Sequence, residues 1–475
     1  MTTDADVIVV GAGISGLKAA ADLHENGVST LILEARPRTG GRVYTERATS
    51  TGNHYDLGAT WFHSTMENPI FDKFVGEWYT PSDARYDDHN VGFVLDTATG
   101  GFPDGCNVGP IVDEIKYFAS KSPSDETLQN SLLSYFKSKK GLLKEDEKKY
   151  AAALYKFAEL TGGCRWDMIS SKLAYGPFTG RDSFNTLGYD KVLEKISANY
   201  PKDQIKLSTV VKSIEKVAAG NADKTVVKVT TKAGDIFTAK YVLVTIPLGV
   251  LKLSVEDPSA EGAITFQPEL PKAITDNFSK THFTTLAKVI VEFDEVFWPD
   301  NDKFLVLSVP QDGDIDESSV YSAAQLDDYS AAKPVKAFDF PCLVSNFNVV
   351  KGVPALMFLV PSQPAHQIES AENPEKYGFE LIKPIIEKLS GGKPVPQPKL
   401  VLTTSWGSDP YSRGVIAANA PGDMLVNDAL IDGFGSIRFA GEGPVYEGHT
   451  CAHGAYISGE REAKVILAKL GKTSV

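Results

Sequence analysis

The alternation of apolar and polar positions changes period twice within the first forty residues. Val7-Ile8-Val9-Val10 is an unbroken β-branched run. An apolar, helix-like run follows Leu17, and Leu31-Ile32-Leu33 is again short and wholly apolar, closing on Glu34. Short apolar runs bounded by glycine predict buried parallel strands, and the helical run between them predicts a crossover helix, so the stretch is a βαβ unit. Gly27 is placed as the residue just past the end of that helix. The turn between first strand and helix reads Gly11-Ala12-Gly13-Ile14-Ser15-Gly16. Gly11 suits a tight turn, Gly13 lets a pyrophosphate approach the backbone, and Gly16 lets helix and strand pack closely. The helix N-terminus offers N–H groups and a positive dipole end to phosphates. Glu34 stands where a ribose hydroxyl would be held. This motif alone does not separate NAD from FAD.

Beyond this unit the pattern changes character. From about Pro81 to Tyr200 it is mostly helical, with amphipathic stretches at Pro110–Ala119 and Leu132–Leu160 and charge runs such as Lys144–Lys149 that read as solvated faces. It returns to β after Pro201, at Lys206–Ile214, Val226–Thr231 and Ile236–Ile246, the last a buried strand stopped by Pro247. Leu286–Phe293 alternates so that Leu286, Lys288, Ile290 and Glu292 share one face. A lysine there is either at a sheet edge or functional. Ser308–Lys336 is polar and acidic, a surface loop or insertion. Phe338–Val360 is strand-like, and a strand at Ile437 precedes a long helix starting near Cys451.

Composition narrows the classes. A chain of 475 residues with net charge −13 can bury a large core, and a nucleic-acid partner is not expected. No apolar run approaches the ~20 residues of a membrane span. The first strand starts almost at Met1, leaving no room for a signal peptide, and the C-terminus is not a Ser-Lys-Leu address. Cys106, Cys164, Cys342 and Cys451 have no metal-ligand spacing and read as free thiols of a reducing compartment. A cytoplasmic monomer with no metal and no membrane contact is the expectation.

Several further motifs carry a resemblance. After the βαβ unit come Ala35-Arg36 and Gly40-Gly41-Arg42, then Asp56-Leu-Gly58-Ala59-Thr60-Trp61-Phe-His63. Trp406-Gly-Ser-Asp409-Pro-Tyr411-Ser-Arg-Gly414 and Arg438-Phe-Ala-Gly441-Glu442 follow, then Gly448-His-Thr-Cys451-Ala452-His453. In this order they resemble the flavin-containing amine oxidases, most closely the fungal, yeast-type polyamine and spermine oxidases. The resemblance implies an α/β fold: a Rossmann-type FAD-binding domain (residues 1–80, 201–284 and 400–475) with an inserted α+β substrate-binding domain (81–200 and 285–399). It implies non-covalent FAD, because the flavin-linking Cys of monoamine oxidases would fall near Val415. Ala35, Arg36, Gly40, Gly41 and Arg42 would lie against the FAD phosphates, Val211 against the adenine, and Gly58, Ala59, Thr60 and Trp61 beside the flavin. Trp406 and Tyr411 would line flavin and substrate tunnel, Gly441 and Glu442 would meet the ribitol-phosphate, and Cys451 and Ala452 would begin a helix facing the pyrimidine edge. Lys288 would hold a water against flavin N5, and His63 falls on the subgroup's active-site histidine. His63, Phe178, Asp182 and His453 would meet substrate. Phe178 and Asp182 depart from the subgroup, which has His and Asn there, and Asp182 could meet a cationic amine or pair with Arg181.

The implied reaction oxidises a C–N bond of spermine, spermidine or their acetylated forms to an imine, which hydrolyses to an amine and an aminoaldehyde while O2 becomes H2O2. The alternatives are a flavin oxidase of another amine (a monoamine or an L-amino acid), a low-turnover flavin-bearing protein that binds an apolar ligand, and an NAD-dependent dehydrogenase. The long coiled-coil insertion and extra N-terminal domain of the histone-demethylating relatives are absent from the sequence, which argues against chromatin.

Overall fold

The computed structural model describes residues 3–174, 179–218, 225–317 and 333–472. The opening unit forms as the pattern predicts: strand Ala5–Val10, helix Ile14–Glu25 and strand Thr30–Leu33, with Gly27 at φ +68° just beyond the helix. The first strand lies between its parallel neighbours Thr30–Leu33 and Ile236–Val244. It is buried on both faces, which is why it carries no polar alternation. An eight-stranded sheet grows from it, taking strands from Ile205–Lys206, Val211–Ala218, Thr225–Thr231, Thr265–Gln267 and Ile437–Phe439 as well. Helix Ile14–Glu25 packs against the C-terminal helix Ala452–Lys469, and Gly459 permits the approach, since a Cβ there would lie 2.4 Å from the Ser15 carbonyl.

A second, six-stranded sheet runs in the order Leu400–Thr403, Ala287–Glu292, Ala355–Val360, Cys342–Asn346, Lys303–Leu307, Val91–Leu95. The strand carrying Lys288 is therefore interior and entirely buried, and the edge position is excluded. Its alternation sorts as expected. Ala287, Val289, Val291 and Phe293 enter one apolar core with helix Pro374–Leu389, while Ile290 joins Tyr55, Trp61 and Phe184 on the other face. Leu400–Thr403 pairs with this strand, so the second sheet takes one member from the stretch expected to belong to the dinucleotide unit.

Three other details differ from the pattern. The helical stretch 81–200 also contains short strands at Ala84–Tyr86, Val91–Leu95 and Ser183–Asn185, too brief to show a period of two. The predicted strand Lys206–Ile214 is broken, with Ser208 at φ +50° between its two parts. Phe338–Val360 is interrupted by a helical turn, Phe347–Lys351, capped by the Asn346 side chain. Among the described residues no helix is long and apolar enough to cross a membrane.

Candidate active site

The glycine turn is built as its residue types require. Gly11 sits at φ +107°, a conformation side chains resist. A Cβ on Gly16 would lie 2.1 Å from the Gly11 carbonyl, whereas one on Gly13 would meet nothing closer than the Gly40 carbonyl at 4.0 Å. Gly16 therefore serves packing and does not line the cavity that begins here, while Gly11, Gly13, Ile14 and Ser15 do. Glu34 is buried. It accepts from the Ala12 N–H at 2.7 Å and the Arg36 N–H at 2.8 Å, one on each carboxylate oxygen. Each oxygen keeps a second lone pair for a hydroxyl.

The cavity continues past Gly40, Gly41 and Arg42. Arg36 and Arg42 are both engaged by protein groups. Arg36 donates to Asp409 and to the Ser412 hydroxyl, each at 2.8 Å, and stacks over Tyr411 with 5.6 Å to the ring centroid. Arg42 donates to the Val415 carbonyl at 2.6 Å and to Glu442 Oε1 at 3.0 Å. The two arginines thus tie the first motif to the third and fourth. Val211, Trp406, Tyr411, Gly441, Glu442, Cys451 and Ala452 all reach the same cavity. Burial pushes the Cys451 thiol up to about 12, which keeps it protonated and a poor nucleophile.

Lys288 comes from the second sheet. Its ammonium donates to the Asp56 carbonyl at 2.9 Å and to the Gly58 carbonyl and Thr60 Oγ1, each at 2.5 Å. Burial lowers its pKa to about 8, opposed only by the Asp56 carboxylate. The cation is thus satisfied by protein oxygens while still facing the cavity. Glu292, two positions along the same face, binds Thr51, Asn53 and the Tyr55 hydroxyl, fastening the loop whose carbonyls receive Lys288.

From Lys288 the wall passes to Trp61, whose ring centroid is 5.9 Å from the ammonium, and to His63, 6.4 Å from Trp61 between centroids. His63 Nδ1 lies 2.9 Å from Asp182 Oδ2. Asp182 therefore pairs with His63 and not with Arg181, which binds Asp88 and stacks over Tyr86. Burial works to raise the Asp182 pKa, but the His63 contact and the Ser64 N–H outweigh it and leave it lowered.

His453 does not face the cavity. It is 2 % exposed, its Nδ1 is 3.4 Å from the Asn68 amide, and burial together with the nearby charge of His63 lowers its pKa to about 4. It sits one position inside the C-terminal helix, so its side chain turns away from the wall that Cys451 and Ala452 form. Phe178 lies outside the described residues.

Other wall residues were not singled out from the sequence. Phe157, Leu160 and Thr161 come from the helical stretch and Leu343 and Leu359 from the second sheet, all in ordinary apolar patterns. Lys303 also faces the cavity, and its partner Asp87 is fully buried although it sits in a polar run, Asp87-Asp88-His89, that reads as a solvated loop. A lysine opening the apolar run Phe304–Leu307 was the available signal.

Residues 14–467 match the family described as flavin containing amine oxidoreductase. The chain belongs to that family. It is 28 % identical to the corticosteroid-binding protein of Candida albicans, covering 100 % of this chain and 98 % of that one. It is 27 % identical to the human peroxisomal N(1)-acetyl-spermine/spermidine oxidase, covering 97 % and 94 %. Cyclohexylamine oxidase from Brevibacterium oxydans shares the fold, with a TM-score of 0.70 at 17 % identity over 99 % of this chain and 100 % of that one.

FAD is the cofactor of this family, and the residues present fit it. Glu442 Oε2 is buried without a hydrogen-bond partner among the described residues, an acceptor awaiting a donor. Gly13 leaves its side of the cavity open. The helices Ile14–Glu25 and Ala452–Lys469 begin in this cavity with no side-chain cap, so their first N–H groups are available to phosphates and to a ring that gains negative charge on reduction. Among the described residues no cluster of His, Cys, Asp or Glu is placed to hold a metal ion.

Proposed function

We propose that the protein is an FAD-dependent oxidase of polyamines or their N-acylated forms, holding FAD non-covalently and working as a cytoplasmic monomer. Bound FAD supplies the two-electron acceptor for a C–H bond next to an amine nitrogen and passes the electrons to O2, giving H2O2. The observation that carries this reading is the His63–Asp182 pair on the same wall as Lys288. The Asp182 carboxylate offers its charge to the ammonium of a bound amine, with the His63 imidazole beside it. That nitrogen must be neutral to give up hydride, so activity rises with pH. Lys288 spends its three N–H donors on the Asp56 and Gly58 carbonyls and Thr60 Oγ1, and so holds the loop beside the apolar wall in place. Phe157, Leu160, Leu343 and Leu359 exclude bulk solvent and position the methylene chain.

The same apolar walls favour a second reading, a flavin-bearing protein that binds an apolar ligand with little turnover, as the name of the Candida relative suggests. Peroxide release decides between them. The purified yellow protein is given spermine, spermidine, their acetylated forms, a monoamine and a corticosteroid. Rapid peroxide with a polyamine form supports the first reading. Tight steroid binding with no peroxide from any amine replaces it with the second.

A further inference from the structure

The substrate end of the cavity carries a charge balance that bears on which amine it takes. Of the carboxylates Asp87, Asp88 and Asp182, each with a basic partner, only Asp182 lines the cavity. Asp87 meets Lys303 at 3.2 Å, Asp88 meets Arg181, and Asp182 meets His63 at 2.9 Å. Against the Asp182 carboxylate, the Lys288 and Lys303 ammonium groups face the same cavity. A fully charged tetraamine brings several ammonium groups and would find most of them uncompensated. It would also meet the Lys303 ammonium, which faces the cavity with its side chain four-fifths covered, and like charges at close range in a partly desolvated site repel.

Lys303 is held there by design of the fold. Its strand, Lys303–Leu307, pairs with Val91–Leu95, and Asp87, fully buried, receives both the Lys303 ammonium and the Trp61 indole N–H at 2.9 Å. Trp61 is the residue next to Lys288 on the wall, so Lys303 is tied through Asp87 to the oxidising region. Among the described residues its ammonium makes one hydrogen bond, to Asp87, and an ammonium has three donors. The remaining donors suit an oxygen acceptor on the ligand. A neutral carbonyl fits better than a carboxylate, because Asp87 already neutralises Lys303 and the Asp182 carboxylate on the same wall would repel a further anion.

We infer that Lys303 is a specificity-determining residue that receives the amide carbonyl of an N-acylated amine, so that the acylated arm lies on Lys303 while the reacting secondary amine lies by His63 and Asp182. This rests on the amine-oxidase reading above and names the substrate class within it. The test is steady-state oxygen uptake, with product identification, on N-acetylspermine, spermine and a secondary amine ending in a carboxylate. It compares wild type with the double variant Lys303→Met/Asp87→Asn, which removes both charges together, and with Lys303→Gln, which keeps a donor to Asp87. Wild type should show kcat/KM at least tenfold higher for N-acetylspermine than for spermine. That ratio should fall at least tenfold in the double variant, or in Lys303→Gln if the double variant fails to hold flavin. General structural damage would lower both substrates together and leave the ratio in place. A wild-type preference for spermine or for the carboxylate, or a ratio unmoved by the variants, overturns the Lys303 assignment while leaving an amine oxidase. No oxidation of any amine overturns the amine-oxidase reading and the assignment with it.

Discussion

The two ends of the cavity are built from very different lengths of chain. At the dinucleotide end the decisive hydrogen bonds are local: Glu34 receives Ala12 across 22 residues and Arg36 across 2. At the substrate end Lys303 reaches Asp87 across 216 residues, and the Asp182 carboxylate accepts from Ser64 across 118. The first end is backbone geometry, glycine and helix N-termini, with little slack. The second is side chains from separate elements meeting over an apolar wall. Substitutions at the first should remove the cofactor, and substitutions at the second should change kinetics with the cofactor in place.

The largest effect is expected at Gly16. Gly16→Ala places a Cβ 2.1 Å from the Gly11 carbonyl, a backbone clash that costs on the order of 3 kcal/mol. The purified variant should be nearly free of flavin with a clearly lowered melting temperature. Full flavin content would show that the helix and strand have slack there. Glu34→Ala comes next. It strips the acceptors from the Ala12 and Arg36 N–H groups and should weaken FAD by roughly 1.5–3 kcal/mol, read by titrating apoprotein with FAD.

Lys288→Met should behave like a substrate-end change although it touches the flavin-side loop. It should retain FAD and slow flavin reduction, reoxidation or both by at least about tenfold, or ~1.4 kcal/mol. Stopped-flow measurement of the two half-reactions checks this, and wild-type rates in both would remove Lys288 from catalysis. The same variant carries a pH test in the flavin-free protein. The folded lysine titrates at about 8 and the unfolded one near ~10.4. Between those values the unfolded chain binds more protons, so the stability of wild type relative to Lys288→Met should rise with pH from 8 toward 10 and stay flat below 8. A difference that does not change over this window would mean the ammonium is better solvated than its surroundings suggest.

The smallest effect belongs to His63. It is well exposed, with 38 % of its side-chain surface open, so His63→Ala should leave the flavin spectrum near normal and raise KM for the amine several-fold or shift the pH profile. Unchanged kinetics and pH profile would make the residue purely structural.

How far the sequence reached follows the same division. The βαβ unit, the tight turn at Gly11, the close packing at Gly16 and the place of Glu34 at the end of the second strand were legible because each depends on neighbours within a few dozen residues and on backbone rules that hold in any fold. Lys288 was legible for a different reason: a cation in an apolar run on a strand is costly to bury, so the pattern itself demanded an account. The account it received, a flavin-bound water, left out the Asp56, Gly58 and Thr60 oxygens, because no pattern shows which loop will face a strand more than 200 residues away. His453 was placed with substrate by the resemblance, but one step along a helix turns a side chain by about 100°, and only the packed helix shows which way it faces. The partnership of Asp182 with His63, the burial of Asp87 and the turn of Lys303 toward the cavity were beyond the sequence. Residue type names the charges a chain carries. Which of them meet, and which a core encloses, depends on the tertiary packing of elements whose order along the chain carries no distance.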